Sequence, residues 1–285
     1  MAMLCFTGLA AKGAKRWLDL GFFSMQPSEM LKPFFAVINA FMLANYQYIK
    51  STQAKVRIVS SSLAVLITVC SLLLLQPDIG MTFQFLCIWI VQIMVCGIRI
   101  KVRTLMATSV IAAGFFSFVV FNSDYASNRL SSFLDGGSSY QVQKSQEAIK
   151  GSGIFGAGIF AGSIKYSVPD IHSDYVFSLA IEEFGGLMGL LIIFLYLAVF
   201  LRIFFYGMKS NNFFNKILSS GVSAIFFSSF AVSAGAAIGV IPATGSALFF
   251  LSYGGSASVS AAIAAGVGLI MSRQRNTLKV INATT

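Results

Sequence analysis

The segment Pro169-Asp170-Ile171-His172-Ser173-Asp174-Tyr175 holds the only histidine of the chain between two aspartates. Several chemistries are open to it. In an extended segment, Asp170, His172 and Asp174 would share one face, as metal ligands do; a histidine between acids is also commonly just paired with them. If Asp174 stands at the mouth of a helix, its carboxylate either caps that helix or serves as a general base. Arg129 offers a guanidinium fork that suits a pyrophosphate, its plainer reading being a solvated loop arginine. Glu182 and Glu183 follow one to two turns after Asp174, at a depth where acids need a cavity or a partner. Glu29 and Lys32, spaced i,i+3, can pair on one helix face, as an internal tie or as part of a site.

Gly151-Ser152-Gly153-Ile154-Phe155-Gly156 fits the pattern GxGxxG, but no strand precedes it, so a nucleotide loop is disfavoured. A tightly packed glycine loop is the simpler expectation. An intermediate one is that its bare amides approach an anionic headgroup.

Apart from Glu29 and Lys32 on the first span, these groups sit in, or beside, one loop of about 122–175 that separates apolar runs. Uncharged stretches of 17, 20, 20 and 20 residues follow Lys32, Arg57, Asp78 and Arg103; 18 follow Glu183 and 56 follow Lys216. A helix crossing ~30 Å of hydrocarbon needs roughly 20 residues. The first five stretches therefore hold one span each. The last holds two, with a turn at Gly239 and Pro242. The expected fold is an all-α polytopic membrane protein of about seven transmembrane helices, a single membrane domain over 1–285 with one long extracytoplasmic loop.

Composition agrees. Of 285 residues, 56% are apolar and 11% charged, and mean hydropathy is +0.80. An ordinary soluble domain carries charge on about a quarter of its residues. The net charge of +10 is a topology signal and not a nucleic-acid patch. Lys50, Lys55 and Arg57, then Arg99, Lys101 and Arg103, then Arg202, Lys209 and Lys216, and finally Arg273, Arg275 and Lys279 fall on one side under strict alternation. That side is the cytoplasm. The cysteines (Cys5, Cys70, Cys87 and Cys96) lie in or beside apolar stretches without metal-ligand spacing, and read as small buried hydrophobes. Seven spans with a cytoplasmic tail put the N-terminus outside without an export signal, which suggests that upstream spans are missing.

Several motifs, in order, resemble the SEDS family (shape, elongation, division and sporulation), of the FtsW, RodA and SpoVE type. Gly13-Ala14-Lys15-Arg16-Trp17 with Gln26-Pro27-Ser28-Glu29 and Lys32 is similar to GARRW…QPSELxK, and Gln76-Pro77-Asp78-Ile79-Gly80 to QPDxG. Arg129 through Asp135, Tyr140-Gln141 and the glycine stretch resemble the family's large loop. Pro169–Tyr175 with Glu182-Glu183-Phe184-Gly185 is similar to PExHTDF…EELG, and Leu251-Ser252-Tyr253-Gly254-Gly255-Ser256 to ISYGGSS. The details resemble the division branch most. The chain departs from PxKGLxLPF, reading Pro242-Ala243-Thr244-Gly245 through Phe250, and has Gly136 for a proline.

The resemblance implies a SEDS fold lacking roughly its first three helices, and a peptidoglycan glycosyltransferase polymerising lipid II during cell division. It makes Asp174 the catalytic base. It suggests substrate contacts for Arg129, Tyr140, Gln141, Lys165, His172, Glu29, Lys32, Ser252, Gly254 and Gly255. No cofactor is certain; a divalent cation (Mg or Mn) beside the pyrophosphate is the one it leaves open. Implied partners are lipid II, a class B penicillin-binding transpeptidase, other divisome membrane proteins and membrane lipids, at the inner-membrane septum. Competing readings are a lipid II flippase, whose buried charges would line a path, and a non-catalytic scaffold.

Overall fold

The computed structural model describes residues 9–11, 14–19, 21, 24–76, 78–98, 140–168, 171–242 and 245–284. Three short strands open it: β1 (Leu9–Ala11), β2 (Ala14–Asp19) and β3 (Ser24–Met25). They pair antiparallel in the order β1-β2-β3. Pairing satisfies the backbone of this cation-bearing segment outside the apolar runs, and the fold is otherwise helical, as expected. The rest is helical: α1 (Pro27–Leu43), α2 (Thr52–Leu74), α3 (Ile79–Val95), α4 (Tyr140–Gly151), α5 (Ile164–Ser167), α6 (Ile171–Asp174), α7 (Val176–Phe184), α8 (Gly186–Met208), α9 (Phe213–Ala237) and α10 (Gly255–Thr284).

Among the described residues, α2, α8 and α9 are long and apolar enough to cross a bilayer, while α3 and the first part of α10 are shorter apolar helices. With α1, six of the seven expected spans coincide with helices. The seventh, between Arg103 and Asp124, lies outside the described residues.

Helix α9 is the hub. Of its most apolar stretch, 83% is buried, against 11% for α8, which turns most of its surface outward. Small residues make the burial possible, because they let backbones approach closely. A β-carbon on Gly221 would lie 2.4 Å from the Gln92 amide, and one on Gly207 would overlap the Ser219 side chain. The serines of α9 satisfy themselves locally, Ser220 donating to Ile217 O and Ser223 to Ser220 O.

Polar ties bind α1, α2 and α3 at membrane depth. Asn39 donates to Gln92 Oε1 at 2.7 Å, and Trp89 Nε1 donates to Ser62 Oγ, which in turn donates to Asn39. Gln92 donates to both Ala36 O and Ile217 O. This places the C-terminal ends of α1 and α3 beside the start of α9. The Lys209 and Lys216 connection thus shares an end with Lys50, Lys55 and Arg57. Helix α10 runs alongside α1 in the same direction, so its basic tail points to that end too.

Pro33 stands inside α1 and cannot bond Glu29 O, the carbonyl one turn back. The hydroxyl of Ser260 on α10 donates to that carbonyl at 2.8 Å. A helix interruption at membrane depth is thereby satisfied by a neighbouring helix.

The expected tight turn at Gly239 and Pro242 proves to be a long irregular segment. Helix α9 ends at Ala237, Gly239 takes a φ of +78°, and α10 begins only at Gly255. Leu248 and Phe249 are buried, Phe249 among Phe226 and other residues of the α1–α3–α9 core. The segment re-enters the protein because its aromatic and small residues fill the core between α1, α9 and α10. Non-helical backbone is tolerated there because protein encloses it. Cys70, Cys87 and Cys96 are free thiols in or beside the packed helices.

Candidate functional site

The end opposite the basic clusters gathers most of the motif residues. Asp78 accepts from Met81 N at 3.2 Å and caps α3. Its other oxygen meets Arg16 at 3.6 Å and Gln26 Nε2 at 3.4 Å. Arg16 also donates to Gln76 O, and Gln26 N donates to Ser256 Oγ at 2.9 Å. Four separate sequence motifs therefore converge around one buried carboxylate. Arg16, Gln26, Asp78 and Ser256 had no roles assigned from sequence. The available signal was an acid in a turn between two apolar runs, where burial demands partners.

Glu29 and Lys32 form a buried ion pair at 2.6 Å. Lys32 also donates to Gln84 Oε1 at 2.8 Å and lies 4.6 Å above the Phe249 ring. With no exposed surface, Lys32 touches protein on all sides, so the internal tie is the reading the geometry carries. Gln84 passes the chain on, donating to Ser246 Oγ at 3.3 Å.

The re-entrant segment brings this chain to Asp174. Gly245, with φ +67°, lies so close that a β-carbon on it would sit 3.5 Å from Asp174 Oδ2. Ser173 donates to Asp174 Oδ1 at 3.0 Å. The carboxylate is half-buried in α6, immediately before α7. Because 171–174 is helical, His172 and Asp174 do not share the extended face on which the metal-ligand reading placed them; Asp170, its third member, lies outside the described residues. Residues two apart on a helix point about 200° from each other, and His172 is exposed while Asp174 turns inward. Among the described residues no three His, Cys, Asp or Glu side chains gather. Asp170 and Arg129 lie outside the described residues, as does the side chain of Lys165.

His172 contributes its backbone: Tyr253 N donates to His172 O at 2.9 Å, joining α6 to the turn before α10. Ser252 is buried and accepts from Leu248 N at 2.8 Å, which ties the re-entrant segment to itself. Gly254 meets Ala247 closely, whereas Gly255 faces open space. Tyr140 is exposed at the start of α4, with Lys144 above its ring, and Gln141 is half-buried. The 122–175 loop is thus built of short helices over its described part. Helix α4 is fastened by Ser145, which donates to Ala237 O and bonds Ser178, and by Gln146, which donates to Ile238 O.

The glycine stretch is a packed loop, as the simpler expectation held. Gly156 N bonds Ser152 O, Ala157 N bonds Glu182 O, Gly158 N bonds Glu183 O and Gly186 N bonds Gly153 O. The amides of Gly156, Ala157 and Gly158 are therefore committed to protein and not to a headgroup. A β-carbon on Gly185 would lie 2.0 Å from Ile154 O, and one on Gly156 would lie 2.4 Å from Glu183 O. Glu182 holds the far end of the loop. Its Oε1 accepts from Ser163 N at 2.8 Å, from Ser163 Oγ and from Ile164 N. Glu182 and the Glu29–Lys32 pair are buried and partnered within the protein.

A family model described as cell cycle protein, of the FtsW, RodA and SpoVE type, matches residues 1–277. The chain is 31% identical over 277 residues to the probable peptidoglycan glycosyltransferase FtsW of Caulobacter vibrioides, covering 96% of this chain and 70% of that protein. It is 28% identical over 272 residues to the stage V sporulation protein E of Bacillus subtilis, covering 93% and 73%. Among solved structures it is similar to a chain of a peptidoglycan synthase complex that coordinates polymerization and crosslinking, with a TM-score of 0.76 and 26% identity over 96% of this chain and 77% of that one. The rod shape determining protein RodA of Thermus thermophilus gives a TM-score of 0.65 at 25% identity, covering 96% and 74%.

Proposed function

This chain belongs to the FtsW/RodA/SpoVE family, the SEDS proteins, and on that premise we propose that it is a peptidoglycan glycosyltransferase polymerising lipid II, with Asp174 as its base. The observation that carries the role of Asp174 is its placement: a half-buried carboxylate in the single turn before α7, braced by Ser173 and backed by Gly245. The acceptor's 4-hydroxyl passes its proton to Asp174 while its oxygen bonds the donor's anomeric carbon. The bond from that carbon to pyrophosphate breaks, and undecaprenyl pyrophosphate leaves. Gly245 keeps the approach to Oδ2 clear of side chains. Arg129 is the proposed clamp for the leaving pyrophosphate, with Tyr140, Gln141 and Lys165 on the same loop as substrate contacts. The lipid tails would lie in a groove between helices.

A Mg or Mn ion, if bound, would help to neutralise the leaving pyrophosphate; the reaction is derived from the chain's own residues. The likeness to a chain of a synthase complex supports a class B penicillin-binding transpeptidase as partner. We place the protein in the bacterial inner membrane at the division septum, C-terminus cytoplasmic, among other divisome proteins.

The test is polymerisation of purified lipid II by the chain with its transpeptidase. Asp174→Asn keeps shape and removes the base, and is expected to abolish glycan strands. Strands of undiminished yield would overturn the role of Asp174. Translocation of lipid II across protein-bearing vesicles, unaffected by Asp174→Asn, would favour the flippase reading instead.

A further inference from the structure

The loop 153–163 carries apolar side chains on the outside of a backbone that is fastened to the protein at both ends. Ile154, Phe155, Ile159 and Phe160 are 63%, 81%, 65% and 79% exposed. Elsewhere on an extramembrane loop such residues would turn into the protein. Here they cannot, because both edges of the loop are bolted down. Gly186 N and Leu187 N bond Gly153 O and Ile154 O, while Glu182 holds Ser163 and Ile164. Phe160 moreover keeps a φ of +61°, a left-handed conformation that an aromatic residue rarely adopts.

The anchoring points fix where this rim lies. Gly186 and Leu187 are the first residues of α8, the helix with the most outward-facing apolar surface of the three long spans. Leu187, Leu190, Leu191 and Phe194 are exposed along it. The apolar rim is thus continuous with the exposed apolar surface of α8, and it begins where that helix starts. Its amides at 156, 157 and 158 and its carbonyls at 153 and 154 bond within the protein, which lowers the cost of bringing that part of the backbone into the headgroup layer.

We infer that this rim inserts into the membrane leaflet on the Asp174 side, as a monotopic anchor among the lipid headgroups and upper acyl chains. Glu182 and Glu183, which receive the loop, lie two turns along from Asp174, so the anchor sets the depth of that carboxylate at the lipid surface. The surface takes lipid whether or not the proposed reaction holds.

The experiment uses the full chain alone in phosphatidylcholine vesicles, with tryptophan placed at Phe155→Trp or Phe160→Trp. Emission of Trp17 and Trp89 is subtracted using the unsubstituted protein. The expected result is strong quenching by lipids brominated about 5–10 Å below the headgroup plane and little quenching by aqueous iodide. Gln143→Trp, on the exposed face of α4 beside the Lys144–Glu147 pair, should show the reverse. Quenching of positions 155 and 160 by iodide would overturn the inference. So would protection from both quenchers, which would mean that another protein surface covers the rim.

Discussion

The backbone of Gly245 lies against the carboxylate of Asp174, 3.5 Å separating Oδ2 from the place a β-carbon on the glycine would take. The two residues are 71 positions apart and belong to different segments, one ending α6 and the other opening the re-entrant stretch after α9. Gly245→Ala adds a methyl beside the carboxylate and forces a residue with a side chain to hold φ +67°, at a cost of about 1–2 kcal/mol. The expected outcome is a polymerisation rate lowered by roughly tenfold for each ~1.4 kcal/mol lost at the transition state, with folding retained. Steady-state kinetics on lipid II, alongside a thermal melt, would separate the two.

Lys32→Met removes the cation and leaves Glu29 buried without its ion-pair partner. Breaking such a pair typically costs about 3–5 kcal/mol, whereas replacing both partners by apolar groups is often neutral. The double substitution Glu29→Leu with Lys32→Met should therefore recover most of the stability lost by Lys32→Met alone. A double-mutant cycle on detergent-solubilised protein gives the answer, and additive losses would show that the two groups are not coupled.

Gly185 and Gly186 are neighbours that should behave oppositely. Alanine at 185 would drive a methyl to 2.0 Å from Ile154 O at φ +85°, while at 186 the nearest atom, Gly153 O, is 3.5 Å away. Gly185→Ala is expected to abolish folded protein in the membrane, and Gly186→Ala to be tolerated. Expression and size-exclusion profiles of the two variants make the comparison.

Glu182 receives three donors from Ser163 and Ile164, and hydrogen bonds to a charged group are each worth about 1.5–3 kcal/mol. Glu182→Ala should release the 157–164 end of the loop without unfolding α9. Amide hydrogen exchange should rise at Ser163 and Ile164 by at least tenfold, a change of about 1.4 kcal/mol in opening free energy. Unchanged protection there would show that the loop is held by its backbone bonds alone.

Much of the architecture is legible in charge spacing. The uncharged stretches after Lys32, Arg57, Asp78, Glu183 and Lys216 each contain a helix, because the hydrocarbon layer tolerates only segments whose polar backbone is satisfied internally. The basic clusters at Lys50–Arg57 and Lys209–Lys216 meet at one end of the bundle, as strict alternation of the spans requires. The re-entrant segment was not legible. Residues 238–254 are uncharged throughout, and periodicity does not distinguish a span from a buried irregular stretch of chain.

Composition, span positions and the presence of Asp174 at a helix mouth follow from the sequence by itself, because each depends on local burial cost. Which groups meet was decided only by the tertiary structure. Arg16 and Gln26 reach Asp78 from the N-terminal segment. Ser260 supplies the bond that Pro33 denies to Glu29 O. The glycine loop spends its amides on Glu182 and Glu183 carbonyls rather than on a ligand. In each case a buried polar group required a partner, and the chain met that requirement from a distant segment, a choice that local spacing does not record.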